Sequence, residues 1–271
     1  MIVALTSAKS SGVTTSCLAL ALASPKRTVL AECDPAGGTV RAGFLGGTPT
    51  AAVGLHRLAT AERDGSLPEV FEQHLVPLDT EGNRLLLPGL TDPAQAPSLA
   101  GTWEPLHRLL QVMEEDGFDI LVDAGRVVVE SAQRLSALYS PAPLLRLADQ
   151  VLLVVRANAS SVAASAPVVR VLREDLDRHG TGSGALGVLL IEGEGFRATE
   201  VAAALGVPVV ATLPDDPATA AVLGGSGRAR GRFALAPLTR AARTAHEPIT
   251  LAATRRRVQI APRTSREAAR V

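Results

Sequence analysis

The segment Ile2-Val3-Ala4-Leu5-Thr6-Ser7-Ala8-Lys9-Ser10-Ser11-Gly12-Val13-Thr14-Thr15-Ser16 decides how the rest of the chain is read. Its aliphatic run, Ile2 to Leu5, predicts a strand buried on both faces, as in a parallel sheet. A turn of small residues follows, then two threonines and a helical stretch over Thr14–Ala23. This is the layout of a loop that holds phosphate. Backbone N–H groups at the helix start face an anion, and small side chains let its oxygens approach. The usual pattern is G-x-x-x-x-G-K-[ST]; here Gly12-Val13-Thr14 stands where Gly-Lys-Thr is expected. A charge-assisted hydrogen bond contributes about 1.5–3 kcal/mol, so the missing lysine predicts binding weakened roughly ten- to a hundred-fold. Turnover is expected to suffer more, because phosphoryl transfer depends on positive charge at the transition state. A tight strand–helix turn that binds nothing is the alternative reading.

Composition limits the rest. The chain has 271 residues, 46% of them hydrophobic and only 3% aromatic, so its core must be built from Leu, Val, Ala and Ile. Formal net charge is +0, which excludes a whole-chain field for coating a polyanion. Cys17 and Cys33 make no disulfide framework and read as small buried hydrophobes of a reducing cytoplasm. The five histidines have no metal-ligand spacing. The first strand begins without a basic leader, and no stretch reaches the roughly 18–20 apolar residues of a membrane span.

Aliphatic runs alternate with helical segments along the chain. Strands are expected at Ile2–Leu5, Thr28–Ala31, Arg84–Leu87, Ile120–Val122, Gln150–Val155, Leu186–Ile191 and Val207–Ala211. Helices are expected at Leu55–Glu62, Pro68–His74, Trp103–Glu115, Ser160–Leu176 and Thr199–Leu205. The alternation predicts a doubly wound α/β fold, a mostly parallel sheet with helices on both faces. In such sheets ligands bind beyond the carboxyl ends of the strands. The loops at 6–15, 32–38, 88–93, 123–126 and 213–216 all follow strands and are expected to share one site.

Lys9, Gly12, Thr14 and Thr15, followed by Val29-Leu30-Ala31-Glu32-x-Asp34-Pro35-x-Gly37, resemble the order K…G-x-T-T then D-x-D-P-x-G of the MinD/ParA class of P-loop ATPases (the SIMIBI class). Asp123, closing Phe118-Asp119-Ile120-Leu121-Val122-Asp123, matches the acid after that class's next central strand. Ala148-Asp149-Gln150, Ser160-Ser161-Val162, Leu205-Gly206-Val207-Pro208 and Leu213-Pro214-Asp215-Asp216 continue the likeness, which covers roughly residues 1–245. It is similar in particular to actinobacterial MinD-like proteins with a G-V-T-T loop, and to the TadZ/CpaE branch with its atypical loops. The resemblance implies a P-loop NTPase fold, ATP or ADP with Mg²⁺ as cofactors, and a homodimer. It implies Ser10, Ser11, Gly12, Val13, Thr14 and Thr15 around the phosphates, with Pro214 and Asp215 holding the base. Thr14, Glu32 and Asp123 would serve the metal. Asp34 would orient the attacking water, and Lys9 would reach the phosphates of the partner subunit. Two departures stand out: Val13 at the lysine position, and Glu192-Gly193 where many relatives carry a base-contacting Asn.

The functional expectation is a nucleotide-binding dimeric switch or positioning protein that is at best a slow ATPase. The alternative is a nucleotide-free scaffold that localises a pilus, secretion or division apparatus. Partners of the first kind would come from a pilus, secretion, division or partition system. The acids also admit plainer readings: Asp34-Pro35 as a turn, Asp123 and Asp215 as helix caps. One nucleotide-binding domain is expected over 1–250, followed by a basic tail, 251–271. That tail holds Arg255, Arg256, Arg257, Arg263, Arg266 and Arg270 against Glu267, with Pro262 breaking it. It reads as a solvated segment or as one drawn to an anionic surface, lipid or DNA. A cytoplasmic protein, peripheral at membrane or nucleoid, is expected.

Overall fold

A computed structural model describes residues 1–48, 52–131, 134–227 and 233–260. Its strands are β1 (Ile2–Ser7), β2 (Thr28–Glu32), β3 (Val76–Pro77), β4 (Arg84–Leu87), β5 (Asp119–Arg126), β6 (Val129–Ser131), β7 (Arg134–Leu135), β8 (Gln150–Arg156), β9 (Leu186–Ile191) and β10 (Val209–Leu213). The helices are α1 (Val13–Ala23), α2 (Thr39–Ala42), α3 (Leu55–Arg63), α4 (Leu67–Val70), α5 (Trp103–Glu115), α6 (Ala142–Leu147), α7 (Ala159–His179), α8 (Ala198–Leu205), α9 (Pro217–Leu223) and α10 (Pro237–Ile260).

An eight-stranded sheet runs in the order β10-β9-β8-β1-β5-β2-β4-β3, parallel except for the edge strand β3. The expected α/β class is thus what the chain forms. Successive residues of β1 supply opposite faces, as strand geometry requires. Ile2 and Ala4 join a cluster with Leu58, Leu106, Leu145, Leu172 and Val201 of α3, α5, α6, α7 and α8. Val3 and Leu5 join a second with Leu18, Leu223, Leu238 and Ile249 of α1, α9 and α10. With a helical layer on each side, every residue of β1 is buried, and Ile2 to Leu5 read as an unbroken aliphatic run.

The chain leaves β1 toward β2 on one side and later returns to build β8, β9 and β10 on the other. β1 therefore borders the switch in winding direction, where open α/β sheets form their crevice. At the opposite, amino end of the sheet, an ion cluster ties the layers together. The Met1 amine lies 2.7 Å from Glu114, and Arg257 reaches Glu114 at 2.8 Å and Asp149 at 2.6 Å. His246 Nε2 lies 2.9 Å from Asp119.

That cluster corrects the reading of the C-terminal segment. Helix α10 runs without interruption through residue 250 to Ile260, packed on α1 and β10, so residues 251–260 are not a tail. Arg257 is engaged with two carboxylates and is not available to an external anion. Arg263, Arg266, Arg270, Pro262 and Glu267 lie outside the described residues. Among the described residues, no helix is long and apolar enough to cross a membrane.

Candidate nucleotide site

β1 delivers the chain to the loop at residues 8–12. Gly12 takes φ +94°, a left-handed conformation that favours glycine. It thereby turns the backbone so that α1 starts at once, with Ser16 N–H donating to Gly12 C=O at 2.9 Å. No side chain caps this helix and no acid sits in its first turn. The first N–H groups of α1 therefore have no intrahelical acceptor and are available to an anion. A cleft of about 200 Å³ opens there, lined by Ser7, Ser10, Ser11, Gly12, Val13, Thr14 and Thr15, with Asp34, Gly125 and Arg126 across from them.

One acid, Asp34, lines this cleft, and two more, Glu32 and Asp123, are buried near it; each is used differently. Glu32 is buried, and its carboxylate accepts from the N–H groups of Gly38 (3.2 Å), Val40 (2.9 Å) and Gly89 (2.9 Å) and from the Thr39 hydroxyl (3.3 Å). Both oxygens are thus occupied in fastening the 38–40 and 88–89 loops to β2. That differs from the metal role expected of Glu32, whose carboxylate acts here as a backbone staple. Asp34 is half-buried, accepts from Ala36 N–H at 2.9 Å, and faces the cleft.

Asp123 is completely buried; one oxygen accepts from Gly125 N–H at 3.0 Å, and the other has no hydrogen-bond partner among the described residues. Burial pushes its carboxyl up to about 7. The Thr14 hydroxyl and the Gly125 N–H oppose that rise, while the neighbouring Asp34 and Glu32 add to it. An unpartnered buried oxygen beside a threonine hydroxyl suits a hydrated divalent cation, which would supply the missing donors. Among the described residues no group of three His, Cys, Asp or Glu side chains could hold a metal alone. Magnesium in phosphate-loop sites needs none, because it keeps waters and phosphate oxygens as ligands.

The remaining expected residues divide. Val13 both lines the cleft and packs into the α1 side of the core, 6% exposed. Its position offers the cleft a methyl group, not a charge. Lys9 is exposed and does not line the cleft of its own chain. Pro214 and Asp215 line a second recess of about 50 Å³ with Ser11, Gly12, Thr15 and Arg156. Asp216, not Asp215, caps α9, accepting from Thr219 N–H at 3.1 Å and its hydroxyl at 2.6 Å. Two functional candidates escaped the sequence reading, Arg126 and Arg156. Each is the last residue of its strand; Arg156 directly follows an aliphatic run, and Arg126 follows Asp123-Ala124-Gly125.

No protein-family model matches the sequence, and no curated protein matches it in sequence. Solved structures do match it in fold. MinD from Pyrococcus horikoshii, in complex with Mg-ADP, superposes with a TM-score of 0.66 at 18% identity, covering 93% of this chain and 96% of that one. A ParA family ATPase from Chlorobium tepidum gives a TM-score of 0.66 at 13% identity, over 90% of this chain and 97% of that one. The ATP complex of a Cyanothece McdA variant gives 0.65 at 15% identity, over 92% and 96%. The chain has the fold of MinD/ParA-type P-loop ATPases.

Proposed function

We propose that the protein is a nucleotide-binding switch of the MinD/ParA type that binds ATP or ADP with Mg²⁺ and turns ATP over slowly or not at all. The observation that carries this is the cleft, where the uncapped start of α1 meets Thr14, Asp34 and the unpartnered Asp123 oxygen. Ser10 to Thr15 would bind the phosphates. Thr14, and Asp123 through water, would hold the cation, and Pro214 and Asp215 would lie at the base. A bound Mg²⁺ would neutralise phosphate charge. Asp34 would orient a water, and Val13 brings no positive charge to the transition state, so binding is favoured over turnover. Solved relatives include complexes with Mg-ADP, with ATP and between MinC and MinD. By analogy we propose dimerisation, with Lys9 pointing to the partner subunit, and a protein partner in cell organisation.

Calorimetric titration with magnesium ATP and ADP, alongside light scattering, tests this. Binding with an ATP-dependent change in mass supports the switch. No heat at millimolar nucleotide overturns it in favour of a nucleotide-free scaffold, the reading that Val13 also motivates.

A further inference from the structure

β1 lies between β5 and β8, and each of these flanking strands ends in an arginine. Arg126 stands in register with Ser7 of β1, lines the phosphate cleft with Thr14 and Asp34, and makes no ion pair among the described residues. Arg156 lies on the other side of the loop. A side-chain carbon on Gly12 would be 3.9 Å from its Nη2, so the guanidinium already stands beside the start of α1. Its Nη1 sits 3.2 Å from Asp215 Oδ2, in a pair whose side chains are 40% and 49% exposed. Ion pairs that exposed are weak and exchange readily for a stronger anion.

We infer that Arg126 and Arg156 supply the positive charge that Val13 withholds, with Arg156 passing from Asp215 to the polyphosphate of the ligand. This rests on the nucleotide reading above. Asp34 faces the cleft, Glu32 and Asp123 are buried near it, and a polyphosphate adds more negative charge. Lys9 does not line the cleft, whereas the two arginines stand on either side of the loop. The fork of a guanidinium matches phosphate oxygens better than a single ammonium does. The Arg156–Asp215 pair also links the end of β8 to the 213–216 loop, at a recess of about 50 Å³. The pair thus stands beside the space that Pro214 and Asp215 line, and an anion that draws Arg156 away would release the 213–216 loop from β8.

The test is calorimetry of the full chain with Mg²⁺ and ATP, ADP or inorganic pyrophosphate, on wild type, Arg126→Gln, Arg156→Gln, Arg156→Lys and Asp215→Asn, with melting temperatures as a check on folding. Each glutamine variant is expected to weaken all three ligands about tenfold, with Arg156→Lys recovering part of the loss. Asp215→Asn is expected to tighten them several-fold, because the arginine is released. Unchanged binding in both glutamine variants, with wild type binding, overturns this inference and leaves the nucleotide reading standing. A loss confined to ATP and ADP overturns the phosphate role of Arg156. Asp215→Asn weakening binding as much as Arg156→Gln makes the pair structural and overturns it as well. Absence of binding by wild type to any of the three removes the nucleotide reading and this inference together.

Discussion

The carboxylate of Asp34 fills the space that a side chain on Gly125 would occupy: a carbon built there would overlap Asp34 Cγ. Gly125 also holds φ +60° and accepts the Thr6 hydroxyl at 3.0 Å on its carbonyl. The glycine near the end of β5 is thus what allows the acid after β2 to face the phosphate loop. Gly125→Ala is expected to cost about 1–3 kcal/mol, from the left-handed backbone and the displaced carboxylate together. Denaturant midpoints measure it. Asp34→Gly in the same chain should recover part of the loss, and full additivity of the two changes would refute the contact as its cause.

Glu32→Ala strips an acceptor from three backbone N–H groups that line two loops. Unsatisfied buried donors each cost about 1–3 kcal/mol, so a loss of at least about 3 kcal/mol is expected. Glu32→Gln should keep the magnesium dependence of nucleotide binding unchanged. If that dependence disappears in a folded Glu32→Gln protein, the carboxylate belongs to the metal after all.

Asp123 gives a signed pH dependence. Its carboxyl is raised in the folded chain to about 7, against an ordinary value of 3.8. Between those values the folded state holds a proton that the unfolded state has released. Stability from this group is therefore full below about pH 4 and is lost as pH rises through about 7. Asp123→Asn removes the ionisation, so without ligand it should raise Tm over wild type at pH 8 and give no gain at pH 4. A gain of about 2–4 °C per kcal/mol is expected for a chain of this size. Equal shifts at both pH values would show that ionisation is not the cause.

Arg257→Ala leaves Glu114 and Asp149 without their shared cation at the amino end of the sheet. The loss should be about 1–3 kcal/mol, below that of a fully buried pair because the Arg257 side chain is 42% exposed. The Met1 amine and Arg257 hold the Glu114 carboxyl below its ordinary value, against the effect of burial. Its stabilisation is therefore present at neutral pH and lost as pH falls below the ordinary value of 4.5 and through the lowered one, and the wild-type advantage over the variant should shrink there. A constant difference from pH 7 to pH 3, read by chemical denaturation, would exclude the ion pair.

Much of the fold was legible where burial on both faces forces an aliphatic run. Leu186–Ile191 and Trp103–Glu115 fall at their expected bounds, and the helix after the loop begins one residue early, at Val13. Elements without that signature were missed. β3 is two residues at an edge, one of them Pro77, and β6 is a short, fully exposed strand. Helix α10 buries Leu238, Ala242, Ala245, Ile249 and Ala253, a helical spacing written mostly in alanine and overlain by arginines and Pro248. The loop, Asp34 and Asp123 were readable because each comes at or just past the end of an aliphatic run. Arg126 and Arg156 were not, because their relation to the loop depends on which strands flank β1, and that order is set by packing across the whole sheet.

Helix α10 starts where Leu238 N–H reaches Asp216 at 3.3 Å, beside the base-side recess, and carries Arg257 to the far end of the sheet. At about 1.5 Å per residue its 24 residues make a rod roughly 36 Å long. One end touches the loop that would sense a base; the other is pinned by Asp149 and Glu114. One continuous element thus joins the carboxyl-end loops of the sheet to the ion cluster at its amino end.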